Sequence, residues 1–205
     1  GQGPIQDFLA QQAKTLQIWL VGGSIPICSG DGNKVYNTTL VYSPQGEMVA
    51  RYDKMHLFSF QKGQENYDEA RTIKRGHGVV GFDAGFGQVG LSICYDLRFP
   101  ELFRAMGECK LILLPAAFTH TTGQAHWELL LRARAVENQC YVLAAAQAGL
   151  HENGRRTWGH SMLIDPWGKI VASLEQAPGV LVADLDLELL AQVRLSLPAL
   201  QHRIL

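Results

Sequence analysis

Apolar residues at Ile5, Phe8, Leu9, Ala13 and Leu16 recur at the three-and-four spacing of one helical face, and Pro4 suits a first helical turn, so the chain opens on an amphipathic helix. From residue 18 the period shortens. Apolar runs at 18–21 and 35–42 read as strands, separated by Ser29-Gly30-Asp31-Gly32-Asn33, a cluster of turn formers. Ser43-Pro44-Gln45-Gly46 then turns the chain back into 47–52, which predicts a hairpin. Far downstream, Asp165-Pro166-Trp167-Gly168-Lys169-Ile170-Val171-Ala172 repeats the pattern of Ser43-Pro44-Gln45-Gly46-Glu47-Met48-Val49-Ala50. The short match predicts a second hairpin in a second, similar sheet.

Between the hairpins the elements alternate: strand 89–94, helix from about 100, strand 110–114, helix 125–138, strand 140–146. That order predicts an α/β architecture whose apolar strands are covered on both faces. Residues 57–78 are polar and without period, and a loop of that length inside a compact domain is usually functional. It follows Lys54 directly.

With 205 residues, 47% hydrophobic and 18% charged, the chain has the apolar material for one sizeable core, so residues 1–205 are expected to form one domain. Eighteen Lys and Arg against nineteen Asp and Glu give a net charge of −1, which provides no global field for nucleic acid or anionic membranes. The expected partner is a small molecule or another copy of the chain. The longest apolar runs, 111–114 and 142–146, are of strand length, and no signal-peptide pattern precedes them. A cytoplasmic location is expected. The first residue is Gly rather than Met, so a segment upstream is expected to be missing.

Four cysteines, at 28, 94, 109 and 140, form no C-x-x-C pair and are too scattered for a disulfide framework or zinc site; no metal or cofactor is expected. An inert buried thiol is the ordinary fate of each. Cys94 differs, because it ends a strand while Tyr95-Asp96-Leu97-Arg98-Phe99-Pro100-Glu101 begins a helix. A thiol at such an elbow lies near unpaired backbone N–H groups, which favour thiolate and can hold an oxyanion. Cys28 lies by a turn, Cys109 at a helix end and Cys140 in an apolar strand. Of seven histidines none has a context that marks it as the partner of a cysteine nucleophile, and His120 and His126, six apart, do not share a helical face; a Cys–His pair stays open.

The runs Arg51-Tyr52-Asp53-Lys54-Met55-His56-Leu57-Phe58 and Leu91-Ser92-Ile93-Cys94-Tyr95-Asp96-Leu97-Arg98-Phe99-Pro100-Glu101 resemble the lysine and cysteine motifs of the nitrilase superfamily. His126-Trp127-Glu128, Arg132-Ala133-Arg134-Ala135-Val136-Glu137-Asn138 and Trp158-Gly159-His160-Ser161-Met162 are similar to its Nit-type amidase branch. The resemblance runs from about residue 3 to the C-terminus, with its motifs in order. It implies the αββα four-layer sandwich of that family, and hydrolysis of the C–N bond of a small linear amide through a cysteine thioester, releasing ammonia. Carried over by motif, Cys94 is the nucleophile and Lys54 the oxyanion donor, helped by the Tyr95 N–H. The substrate implied is a short dicarboxylic or peptide-like amide, with deaminated glutathione the branch's precedent.

The family's general-base glutamate lies upstream of the segment that residues 1–5 resemble, so the chain is expected to lack the first strand, first helix and base, and to hydrolyse amides slowly or not at all while still accepting an acyl group at Cys94. Glu65 resembles the family's second acidic residue near the site; an exposed loop carboxylate is the alternative. Arg98, one turn after Cys94, is a candidate clamp for a substrate carboxylate, with an ion pair to Asp96 or Glu101 as the alternative. Phe118 and Thr122 follow a buried strand at its C-terminal end and are candidate lining residues, with loop packing as the alternative. Two other functions stay open: a non-catalytic binding or interaction domain, and acyl transfer by the same nucleophile. Helix 125–138 carries Trp127, Leu130, Leu131 and Ala135, more apolar positions than a solvated helix needs, and a homodimer or other homo-oligomer is expected.

Overall fold

The structure, a computed structural model, describes residues 3–63 and 65–204. Pro4 occupies the first turn of α1 (Pro4–Leu16), which ends where Gln17 adopts a left-handed conformation, φ 53°. The apolar stripe of this helix divides. Leu9, Ala10 and Ala13 face inward, whereas Ile5, Phe8 and Leu16 are exposed.

Strands β1 (Leu20–Val21), β2 (Ile25–Cys28), β3 (Val35–Tyr42) and β4 (Met48–Asp53) form a first antiparallel sheet, in which β3 pairs with β1 and β2 along one edge and with β4 along the other. Successive β3 side chains point to opposite faces. Leu40 and Tyr42 pack with Ile27 and Ala13 under α1, and Val41 joins Tyr52 of β4 in the main core on the other face.

The chain between the sheets is not a structureless loop. Residues 57–78 contain a hairpin, β5 (Ser59–Lys62) and β6 (Glu65–Asp68), and a single 3₁₀ turn, Glu69–Arg71. Its strands are short and face solvent on one side, so their period is weak in the sequence. Aromatic packing holds them instead: Phe58 stacks on Phe60 and lies 5.7 Å from Tyr67.

The second sheet has six strands: β7 (Gly81–Asp83), β8 (Gln88–Leu91), β9 (Leu111–Ala116), β10 (Tyr141–Ala146), β13 (Met162–Ile164) and β14 (Ile170–Ser173). Their order across the sheet is β14-β13-β10-β9-β8-β7. The central β8, β9 and β10 run parallel, and α2 (Pro100–Ala105) and α3 (His120–Asn138) make their crossovers. Parallel strands buried on both faces need apolar side chains on both, which explains the runs 111–114 and 142–146. Leu102, Phe103, Trp127, Leu131 and Ala135 cover one face, and Val41 and Tyr52 of the first sheet reach the same core from the other. The layers are therefore α1, first sheet, second sheet, and α2 with α3: the αββα sandwich of the expected α/β class.

Two further elements complete the chain. A small hairpin, β11 (Ala148–Leu150) with β12 (Arg156–Trp158), rises from the end of β10, and α4 (Leu187–Ser196) buries Leu190 and Val193. No helix among the described residues is long and apolar enough to cross a membrane.

Helix α3 starts five residues earlier than its apolar period suggests, because Thr119 caps it by accepting the Thr122 N–H. Its apolar residues also serve a different purpose from the one expected. Trp127, Leu131 and Ala135 are buried in the chain's own core, and the outward apolar positions are Leu129 and Val136, beside the exposed Trp167.

Gly123 seats α3 against the β11–β12 hairpin, since a β-carbon there would lie 2.3 Å from Trp158 Cβ. Helix propensity favours Gly→Ala by about 1 kcal/mol, but overpacking of this kind costs roughly 1–3 kcal/mol. Gly123→Ala is therefore expected to lower the melting temperature. A thermal unfolding curve at or above that of the parent would contradict this seating.

Candidate active site

Strand β8 stops at Leu91, and Ser92 extends its contact with β9 by donating both its N–H and its hydroxyl to the Leu113 carbonyl, at 3.1 and 2.9 Å. Cys94 then opens a 3₁₀ turn, Cys94–Arg98, with φ 53°. A non-glycine residue held in the left-handed region needs surroundings that impose it. Here Asp96 imposes it. Its wholly buried carboxylate accepts the Ile93 N–H at 2.8 Å, the Tyr52 hydroxyl at 2.7 Å, and both the N–H and Nδ1 of His56 at 3.1 and 2.7 Å. An ionised carboxylate only accepts, so Nδ1 carries the His56 proton in this arrangement.

Tyr52 and His56 flank Lys54, so the same carboxylate ties the lysine segment to the cysteine elbow. Lys54 is buried despite its charge. Its Nζ lies 2.5 Å from Glu69 Oε2, which also accepts the Phe58 N–H at 2.8 Å. The Lys54 carbonyl accepts the Gly76 N–H at 2.9 Å, and a β-carbon at 76 would lie 2.0 Å from the Asp53 carbonyl oxygen, so this closure requires glycine.

Cys94 lies where two cavities meet. A small one is lined by Phe58, Glu69, Tyr95, Arg98, Phe118, Thr122 and Arg155. A wider cleft of about 440 Å³ adds Lys54, Asn37 and Ser161, and shares Cys94, Glu69, Ala117 and Arg155 with the first. Burial pushes the Cys94 thiol up from its ordinary range, and Glu69 pushes the same way. Lys54, the Ala117 N–H and Arg155 pull it down without reversing the shift. The sequence suggested an elbow that favours thiolate; in the folded site those donors do pull the thiol down, and desolvation pulls the other way more strongly. Cys109 and Cys140 are buried and raised by desolvation, whereas Cys28 is exposed.

Of the residues singled out from sequence, Tyr95, Arg98, Phe118 and Thr122 share the small cavity with Cys94, and Lys54 shares the wider cleft with it. Glu65 lines neither, since its Oε2 accepts the Thr121 hydroxyl at 2.6 Å. The acid at the site is Glu69, the residue directly after β6, which opens the 3₁₀ turn. Phe60 and Tyr67, paired across β5 and β6, mark the hairpin that carries Glu69 back toward Lys54, but the run is too short to show as a period in the sequence. Arg155, between β11 and β12, also escaped sequence reasoning. Thr122 is held at the cap of α3, its hydroxyl 2.8 Å from that of Thr119. Arg98 has no carboxylate partner among the described residues: both terminal nitrogens lie 3.3 Å from His126 Nδ1, and the guanidinium sits 5.4 Å from the Phe118 ring centroid.

A cysteine on a strand-to-helix elbow, an ion-paired buried lysine and a cavity between two sheets match a sequence family as well. The carbon-nitrogen hydrolase family profile matches residues 1–195. This chain belongs to the carbon-nitrogen hydrolase family. It is 43% identical over 205 residues to a deaminated glutathione amidase of Synechocystis sp., covering 97% of this chain and 75% of that protein. It is 40% identical over 198 residues to omega-amidase NIT2 of Homo sapiens, covering 95% and 71%. Its fold superposes on the crystal structure of the C. elegans NitFhit protein with a TM-score of 0.89 at 40% identity, covering 97% of this chain and 50% of that one, so the hydrolase matches half of that longer chain.

Lys54 and Glu69 act on the Cys94 thiol with opposite sign, which gives a direct check. Lys54→Met removes a cation that favours thiolate, and Glu69→Gln removes an anion that opposes it. Well below the thiol pKa, lowering that pKa by about one raises the thiolate fraction roughly tenfold. Mapped iodoacetamide labelling of Cys94 at about pH 7, where the thiolate is the reacting species, is expected to slow in Lys54→Met and to quicken in Glu69→Gln. Changes of the same sign in both variants would show that neither charge acts on the thiol.

Proposed function

We propose that the chain hydrolyses the C–N bond of a small linear amide bearing a carboxylate, through a thioester on Cys94. The observation that carries this reading is that the wider cleft, with the Lys54–Glu69 pair, and the small cavity, with the carboxylate-free Arg98, meet at Cys94. Attack of Sγ on the amide carbon forms the C–S bond and moves the carbonyl π electrons onto oxygen. Lys54 Nζ and the Tyr95 N–H, in the first turn after the nucleophile, hold that oxyanion. Collapse breaks the C–N bond, and the amine leaves with a proton; water then attacks the thioester, releasing the acid and restoring the thiol.

Proton movement falls to Glu69, the one carboxylate among the described residues that line the two cavities. Glu65 is bonded to Thr121, and Glu128 pairs with Arg132 on the outer face of α3. Arg98 holds the substrate carboxylate through its two terminal nitrogens, with Phe118 beneath it. The named activities of the two amidase relatives, on deaminated glutathione and on ω-amides, support a substrate of this class.

Ammonia release from a panel of short ω-amides, with mass spectrometry of the protein during turnover, tests the reading. An acyl adduct confined to Cys94 is expected, with no turnover in Cys94→Ala. Loss of a general acid–base group costs about 10²–10⁴ in rate, which is the range expected for Glu69→Gln. Full turnover in Glu69→Gln would move proton transfer to another group, and absence of any acyl adduct would leave the cavity a binding site.

The chain is also proposed to pair with a second copy through the outer face of α3. Leu129, Val136 and Trp167 are exposed there around a shallow groove, and Glu128 and Arg132 lie one turn apart. Antiparallel pairing of the same helix sets each Glu128 opposite an Arg132, the self-complementarity that a twofold interface needs. Light scattering is expected to give a dimer that Leu129→Glu converts to monomer; a monomer before substitution at micromolar concentration would refute the pairing.

A further inference from the structure

Arg155 has no part in the chemistry above, yet it borders both cavities at Cys94. It lies in the turn between β11 and β12 and reaches back to donate from one terminal nitrogen to the Ala117 carbonyl at 2.5 Å. Its guanidinium sits 5.3 Å from the Tyr67 ring centroid. The side chain is thus fixed from two sides. Its Nε is nonetheless buried without a hydrogen-bond partner, and no carboxylate pairs with it among the described residues. A guanidinium carries five N–H donors, and among the described residues one bond occupies them.

The charges at the pocket do not balance. Lys54 and Glu69 neutralise each other, and Arg98 and Arg155 remain with no counter-charge among the described residues. Both side chains keep part of their surface in solvent, but the Arg155 Nε–H is buried without a partner, which is unfavourable, and two cations bordering one pocket repel each other as well. An anion that meets both relieves both costs. One carboxylate on Arg98 leaves the second cation as it was.

We infer that Arg155 is a specificity-determining residue that binds a second carboxylate, so that the favoured ligand of this pocket is a dianion held by Arg98 and Arg155 together. The inference rests on the reading of Arg98 as a carboxylate clamp. It extends the substrate from an amide with one acid group to one with two, the second on the acyl or on the amine portion.

The test measures binding, so that it stands apart from turnover. Glutarate and butyrate, close in size and differing by one carboxylate, are titrated into the full chain and followed by NMR. Glutarate is expected to bind about tenfold or more tightly than butyrate, as a charge-assisted bond to a fixed guanidinium allows. Arg155→Gln is expected to erase that difference by weakening glutarate alone. Arg155→Lys, which keeps the charge and guards against a folding effect, retains part of it, and Arg98→Gln weakens both ligands. Equal affinities in the parent, or an equal loss of both ligands in Arg155→Gln, would overturn the inference and reduce Arg155 to an anchor of the Ala117 loop. Failure of amide hydrolysis alone, with the glutarate preference intact, would instead overturn the proposed reaction.

Discussion

The arrangement of this site depends on one buried carboxylate. Asp96 has no exposure to solvent and accepts four hydrogen bonds from three residues: the Ile93 N–H, the Tyr52 hydroxyl and the main chain and ring of His56. Desolvating such a group costs several kcal/mol, and bonds to a charged acceptor return roughly 1.5–3 kcal/mol each, so only a fully bonded Asp96 is tolerated. Burial, then the neighbouring Asp96, drives the Tyr52 hydroxyl upward, which keeps it a donor. His56 is further held by stacking on Phe99, 3.8 Å between centroids. These bonds fix the left-handed Cys94 and, two residues either side of Lys54, the path of the lysine segment. Nucleophile and cation belong to different sheets, and Asp96 is where the two sheets are tied at the site.

Electrostatics in the site run against the simplest reading of a lysine beside a cysteine. Lys54 is a buried cation, and such a charge persists only with a partner. Glu69 supplies one at 2.5 Å, and in doing so it also opposes ionisation of Cys94. Burial and Glu69 thus work against the ionisation of Cys94 that Lys54 favours.

Much of this was legible in the residues. The period change from α1 to β3, the alternation of β8, α2, β9, α3 and β10, and the two similar hairpins gave the layers, because long buried elements impose their period on sequence. Cys94 stood out because a strand end and a helix start meet at it. Glu69 and Arg155 did not stand out, since each sits at the end of a hairpin whose strands have only three or four residues, too few for a period to register. The start of α3 was missed for another reason: Thr119 and Thr122 cap it without adding apolar residues. The stripe Trp127, Leu131 and Ala135 was visible but assigned to the wrong neighbour, because apolarity reports burial and does not say against what.

Glu65 shows how the two kinds of element divide the work. The sheets and the Asp96 tie supply Cys94 and Lys54 on rigid strand ends, while the hairpins supply the countercharge and the second guanidinium. A hairpin pairs its own backbone groups, so it can cross the rim of a cleft and project charged side chains without leaving polar atoms unbonded. It must still be held in place. Glu65 fastens β6 to the start of α3 through the Thr121 hydroxyl, and Thr119 bridges to Thr157 of β12. Tyr67 of β6 lies beneath the Arg155 guanidinium, so the hairpin that leads to Glu69 and the one that carries Arg155 meet over the same helix start. The Glu65 carboxylate thus acts one step removed from the chemistry, holding the element from which Glu69 reaches the lysine.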